Sequence, residues 1–395
     1  MNIQIFNAKV ITPFEIIPLA SVLIKEGKIS EIDRTNTKKS GFEHWDADGC
    51  YVSPGFIDIH VHGGGGHDFM DGEVEGFLKI ASIHAQYGTT SMVPTSLTSE
   101  KDQLLHILAT YERAHAQNQH GAVFLGMHLE GPYFAMNQRG AQDPRYIRDP
   151  NPAEYEEILK KAHLIARWSA APERLGAMAF GRRLREEGIL AAIAHTDAIY
   201  EEVLEAVANG YSLSTHLYSG MSGVTRKNAF RYAGVIESSL LLDELDVEVI
   251  ADGVHLPSPL LKLIYKVKGP EKIALITDAM RAAGTDVDSS ILGHKDDGLP
   301  VIIEDGVAKL PDRSSFAGSV ATTNRLVRTM VEMADVPLLH AVNMATRTPA
   351  RIAGVSHQKG SILQGMDADV IIFDEHLNVK ATIIEGRRVY DNHLV

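Results

Sequence analysis

The sequence predicts an α/β protein, a (β/α)8 barrel of the TIM-like kind joined to a small β-sandwich domain formed from both chain termini. Three observations carry that prediction. Short apolar runs alternate with longer helical stretches through the middle of the chain, both ends are rich in β-branched residues without a helical period, and polar residues close several of the apolar runs.

The N-terminal end holds IQIFNAKVIT, SVLIKEGKISEI and CYVSPG, short strands punctuated by turn signals such as Glu26-Gly27-Lys28. The C-terminal end mirrors it with ADVIIFD, VKATIIEGRRVY and the turn Glu385-Gly386. Chain ends often lie close together, so residues 1–54 and 355–395 are expected to form one domain and residues 55–354 the barrel.

Within the middle, the eight candidate strands are FIDIHVH, TTSMVPT, AVFLGMHLE, LIARWSA, ILAAIAH, YSLSTHL, VEVIADG and KIALITD. Helical segments such as 73–87, 101–117, 152–161, 174–187, 200–209 and 258–268 lie between them. Eight such units complete a (β/α)8 barrel. An open doubly wound sheet competes, but it calls for a G-x-G-x-x-G turn after its first strand, and the 63–66 glycine run lacks that spacing. Residues 286–312 read as an excursion after strand eight with its own hairpin, LPVIIEDGVAKL.

Composition narrows the function. An apolar fraction of 45% and a charged fraction of 23% are those of an ordinary globular protein. The formal charge of −13, with no local basic patch, excludes nucleic acid as an expected partner. Cys50 is the lone cysteine, which rules out an internal disulfide and suits a reducing cytosol. No apolar run reaches the ~20 residues of a membrane span, so a cytoplasmic protein with no membrane partner is expected.

The first strand ends in SPGFIDIHVHGGGGHD. Residues two apart on a strand share a side, so His60 and His62 can reach one metal ion together. Glu130, His195, His216 and Asp278 close four further strands, and in a barrel those strand ends converge on one mouth. Each has an ordinary explanation by itself: Asp278 as a helix N-cap before AMRAAG, Glu130 as a turn residue before Gly131-Pro132, His128 as a structural histidine. Six polar residues terminating five strands outweigh those explanations. Imidazole and carboxylate donors suit zinc, iron and similar divalent ions.

This arrangement resembles the amidohydrolase superfamily, through PGFIDIHVHG, His195, His216 and the ITDA around Asp278. Most binuclear members bridge their metals with a carbamylated lysine at the end of strand four, and LIARWSAAPE offers none. A strand-three glutamate in the bridging place is the mark of N-acetylglucosamine-6-phosphate deacetylases. MHLEGPY, AHTDA, STHLYSGM, VIADGVHL, LITDAM and FAGS are all similar to that family, over nearly the whole chain.

The resemblance implies Glu130, His195 and His216 as ligands of a primary ion, with His60, His62 and Asp278 completing a second site that Glu130 bridges. Asp278 would take a proton from water and return it to the departing amine. His255 would contact the sugar and help stabilise the tetrahedral oxyanion. Ala317 and Gly318, in FAGS, would join the substrate-binding residues.

The chain departs from the family at the phosphate end. Gln142 stands where G-A-H-x-P has histidine, Ser219-Gly220 replaces Asn-Ala, and VTRKNAFRYAG replaces the Arg-Glu-Pro-Gly segment, leaving Arg226, Lys227 and Arg231 as substitutes. The resemblance further implies a homodimer in which each partner lends a basic side chain. The expected function is deacetylation of an N-acetyl amino sugar phosphate, by default N-acetylglucosamine 6-phosphate. The alternatives are another N-acyl amino sugar, phosphorylated or not, a cyclic amidase, which the missing strand-four lysine disfavours, and a non-catalytic sugar-binding barrel, which would not need Asp278.

Overall fold

The computed structural model describes residues 2–392. Eight short strands form its central ring: Phe56–Val61, Thr89–Pro94, Met127–Glu130, Ile165–Ala170, Leu190–Ile193, Tyr211–Ser214, Asp246–Val249 and Ile273–Leu275. Consecutive strands pair in parallel. The second and third meet through Val123–Phe124 and a bridge between Thr95 and His128, and a bridge between Val61 and Ala279 closes the ring.

The first two ring strands are buried along their whole length, as strands of a parallel barrel covered on both faces must be. Helices lie between them as the periodicity requires. The helix Lys101–Gln117 buries Leu104, Ile107, Leu108, Tyr111 and Ala114, a stripe at three- and four-residue spacing. Pro152–Leu159 begins on Asn151, whose side chain accepts from the Ala153 N–H, with proline in the first turn.

Four helices lie beyond those expected: Val235–Leu241, Thr323–Glu332, Leu338–Ala345 and Arg347–Ile352. The first has seven residues, too few to establish a period, and the last two abut at Thr346 with Pro349 interrupting the pattern.

The terminal segments share one eight-stranded sheet. Tyr51–Pro54 pairs with Val370–Phe373 and with Asn2–Ile11, so the two ends of the chain meet through backbone hydrogen bonds. Ile3, Ile5, Val22, Ile24, Val52, Val370 and Ile372 belong to a core of their own beneath it. Residues 1 and 393–395 of the expected terminal domain lie outside the described residues. The excursion after strand eight is a three-stranded antiparallel sheet, Ser289–Leu292, Leu299–Glu304 and Val307–Lys309.

The glycine run after His62 follows from crowding. A Cβ on Gly63 would lie 2.3 Å from the His67 carbonyl oxygen and 2.9 Å from the Arg281 nitrogen. The turn that carries the chain away from the ring therefore admits no side chain there.

Candidate metal centre

His60 and His62 end the first strand on the same side, with their Nε2 atoms 3.2 Å apart. The Asp278 N–H donates to the His60 carbonyl over 2.9 Å, a ring-closing bond that also brings its carboxylate alongside. Asp278 Oδ1 lies 3.1 Å from His62 Nε2 and 3.5 Å from His60 Nε2.

Glu130 stands at the centre. Its Oε1 is 3.0 Å from His216 Nε2, 3.4 Å from His60 Nε2 and 3.5 Å from His195 Nε2, and its Oε2 is 3.5 Å from His62 Nε2. His195, His216 and Asp278 lie just past their strands, not within them, at φ of 47°, 34° and 48°. Left-handed backbone at three non-glycine residues of one site is strain that the surrounding ring must hold. The chain after Asp278 forms turns, so Asp278 caps no helix. His128 is structural: it is buried, with Nε2 2.7 Å from Ser169 Oγ.

Two trios of donors result, His60-His62-Glu130 and Glu130-His195-His216, each compact enough for one ion and sharing a carboxylate. The donor chemistry fits a divalent metal. The local field fits as well: burial opposes charge on His60, yet the Glu130 and Asp278 carboxylates carry its pKa up to about 10. A site that so strongly favours a proton on a fully buried imidazole is a site for a cation. Burial likewise works against ionised Glu130, and His60, His195 and His216 overcome it and hold its carboxyl well below the usual range.

His62, Glu130, His195, His216 and Asp278 floor a cavity of about 590 Å³ whose walls include Gln142, Ser219, Gly220, His255 and Gly318. His255 is fixed by Asp252, its Nδ1 lying 2.8 Å from Asp252 Oδ2, and its ring rests on Phe316.

Three groups of expected substrate contacts sit in different surroundings. Gln142 stands against the metal centre: its Nε2 donates to Glu130 Oε2 over 2.6 Å, while its Oε1 accepts from the N–H and hydroxyl of Thr98. Ala317 does not line the cavity, because its methyl packs in a separate cluster with Met280, Val301 and Ala308. Arg226, Lys227 and Arg231 do not line it either. They lie on a two-stranded ribbon, Thr225–Lys227 with Phe230–Tyr232, where the exposed Arg226 and Arg231 sit directly opposite each other.

The basic groups at the mouth are instead Lys309 and Arg313, which the sequence reading missed. The signal was the KLPDR that follows the excursion's hairpin. Both are already paired, Lys309 Nζ 3.0 Å from Glu304 and 2.6 Å from Asp305, and Arg313 Nε 2.8 Å from Glu304.

A model of the amidohydrolase family matches residues 51–389. The chain is 34% identical to an N-acetylglucosamine-6-phosphate deacetylase of Lysinibacillus sphaericus over 378 residues, 94% of each chain. It is 32% identical to an N-acetylgalactosamine-6-phosphate deacetylase of Escherichia coli O157:H7, covering 85% of this chain and 87% of that one. The crystal structure of an N-acetylglucosamine-6-phosphate deacetylase from Pasteurella multocida superposes with a TM-score of 0.92 at 28% identity, covering 98% of this chain and 99% of the other.

Proposed function

The chain belongs to the amidohydrolase family and, within it, to the N-acetylglucosamine-6-phosphate deacetylases, and on that footing we propose that it hydrolyses the acetamide of an N-acetyl amino sugar phosphate, by default N-acetylglucosamine 6-phosphate, releasing acetate. The observation that carries the reading is the pair of donor trios sharing Glu130 on the cavity floor, with Asp278 beside them.

When bound there, one or two divalent ions, zinc or iron, supply the Lewis acidity that polarises the acetyl carbonyl and makes water nucleophilic near neutral pH. Glu130, His195 and His216 would hold the primary ion, and His60, His62 and Asp278 would complete the second position. Burial would raise the Asp278 carboxyl, but His60 and His62 keep it below the ordinary range, so it is ionised and ready to accept a proton. It takes that proton from the attacking water and delivers it to the amine nitrogen, which then leaves neutral. His255, immobilised by Asp252, is assigned to the sugar and to the developing oxyanion.

The phosphate is assigned to a homodimer. Lys309 and Arg313 at the mouth are compensated by Glu304 and Asp305, whereas the ribbon carrying Arg226, Lys227 and Arg231 is exposed and free to reach a second copy. Residues 2–54 with 355–392 are read as a small β domain of sandwich type beside the barrel. No helix among the described residues is long and apolar enough to cross a membrane, and a cytoplasmic location suits the lone cysteine.

The likeness to the galactosamine enzyme favours one second reading, the epimeric phosphosugar. Acetate release measured across N-acetyl hexosamines, with and without 6-phosphate, after loading with zinc or iron, tests both. Turnover of the glucosamine compound above the others is expected, and no release from any of them refutes the proposal.

A further inference from the structure

Beneath the metal centre, inside the ring, lies an ion pair that the proposed chemistry does not use. Glu248 on strand seven and Arg167 on strand four are both buried. The two Arg167 NH groups bond both Glu248 oxygens, and they also donate to the Ile59 carbonyl and the Thr215 hydroxyl, each over 3.2 Å. Glu248 Oε2 lies 3.3 Å from His60 Nδ1 and accepts from the His216 N–H at the same distance. Every side-chain hydrogen bond that leaves the pair therefore runs to His60 or His216 or to the residue before one of them.

We propose that Arg167 and Glu248 are positioning residues that orient His60 and thereby set the affinity of the second metal position. A buried ion pair seldom repays its desolvation as stability alone, which leaves its presence here to be explained by what it holds. Accepting a proton from His60 Nδ1 fixes the tautomer in which Nε2 keeps its lone pair, and Nε2 is the atom that faces Glu130, Asp278 and His62. Arg167 keeps the carboxylate ionised and fills its remaining lone pairs, so the carboxylate cannot turn away. The other ligands lack such an anchor: His195 Nδ1 meets the Gln138 carbonyl, and the Nδ1 atoms of His62 and His216 have no hydrogen-bond partner. A charged anchor on a ring Nδ1 is thus confined to His60, in the His60-His62-Glu130 trio, while the pair meets His216 only at its backbone N–H.

The inference rests on the two-ion reading of the site, and metal counting separates the two. Metal content and chelator competition are measured on the wild type, on Glu248→Gln and on the double variant Arg167→Met with Glu248→Leu, with circular dichroism and thermal unfolding alongside. The double variant removes both charges at similar volume, and such replacements are commonly tolerated by the fold. The expected result is two ions in the wild type, a first ion retained in both variants, and a tenfold to hundredfold loss of affinity for the second in the double variant. Glu248→Gln should lose less, because its amide oxygen still accepts from His60, and it decides the matter if the double variant does not fold. Unchanged binding of the second ion, or equal weakening of both ions, overturns the proposal. A wild type that holds only one ion at saturating metal overturns the two-ion reading and the proposal with it.

Discussion

Gln142 Nε2 lies 2.6 Å from Glu130 Oε2, closer than any histidine stands to that carboxylate. Thr98 dictates which way the amide faces, since its N–H and hydroxyl both donate to Gln142 Oε1 and leave only the NH2 for Glu130. A residue expected to meet the substrate's phosphate thus supports the carboxylate that the two donor trios share. Gln142→Ala should weaken metal affinity tenfold to a hundredfold, read by chelator competition. Unchanged affinity would show that Glu130 needs no such support.

The donor trios predict different outcomes for their members. Replacing His60 and His62 together with alanine should lower metal content from two ions per chain toward one, because the Glu130-His195-His216 trio stays whole. Replacing His195 should instead strip the primary ion and essentially all activity. Metal analysis of the purified variants distinguishes these results, and full occupancy in the His195 variant contradicts the ligand assignment.

Asp278→Asn preserves size but cannot shuttle a proton. Turnover should fall by about 10² to 10⁴ while substrate affinity changes little. The check is a kcat measured at saturating metal, together with substrate binding by calorimetry. Near-normal kcat would remove Asp278 from its role as general base.

The ring and the polar side chains that converge at its mouth were legible in the sequence because both rest on local patterns. Apolar runs broken by helical periods gave the strands, and polar residues closing those runs gave His60, His62, Glu130, His195, His216 and Asp278. What escaped depends on contacts far apart in sequence. Arg167 sits in a strand where its neighbours are apolar, and nothing local pairs it with Glu248, 81 residues away. Gln142 could be aligned with a histidine by motif, but only the packing of its loop against Thr98 shows which group it serves. Lys309 and Arg313 reach the cavity mouth because the excursion folds back over it, a placement that no periodicity encodes.

Asp68, which pairs with Gly63 beside His62, offers a test of the electrostatics at the edge of the site. Burial raises its pKa to about 6, against the partial opposition of the Met70 N–H and Arg281. Its neutral form is therefore the one the fold favours. Between about pH 4 and 6 the folded state binds more protons than the unfolded state, so this group's contribution to stability is lost as pH rises through that window. Asp68→Asn keeps the cap on the Met70 N–H and cannot titrate. From pH 4 to pH 7 the variant should gain on the wild type by up to about 3 kcal/mol in denaturant unfolding of the metal-free protein. A pH-independent difference would mean that Asp68 is ionised at little cost.

The last prediction concerns the phosphate, where the cavity of one chain offers no uncompensated cation among the described residues: Lys309 and Arg313 at its mouth already face Glu304 and Asp305. The ribbon residues Arg226, Lys227 and Arg231 are exposed, and two arginines set directly opposite each other repel unless an anion sits between or beside them. A phosphate brought by a second copy would relieve that repulsion, and guanidinium holds phosphate through paired hydrogen bonds. Hydrogen bonds to a charged group contribute roughly 1.5 to 3 kcal/mol, so one such contact favours a 6-phosphorylated sugar over its unphosphorylated form by about tenfold to a hundredfold in kcat/KM. Arg226→Ala with Arg231→Ala should erase that preference, acting on KM for the phosphorylated sugar and leaving the unphosphorylated one unchanged, and sedimentation should show the wild type as a dimer. A phosphorylated-to-unphosphorylated ratio near one in the wild type would reject the phosphosugar assignment, and a preference that survives in the double variant would move the phosphate away from this ribbon.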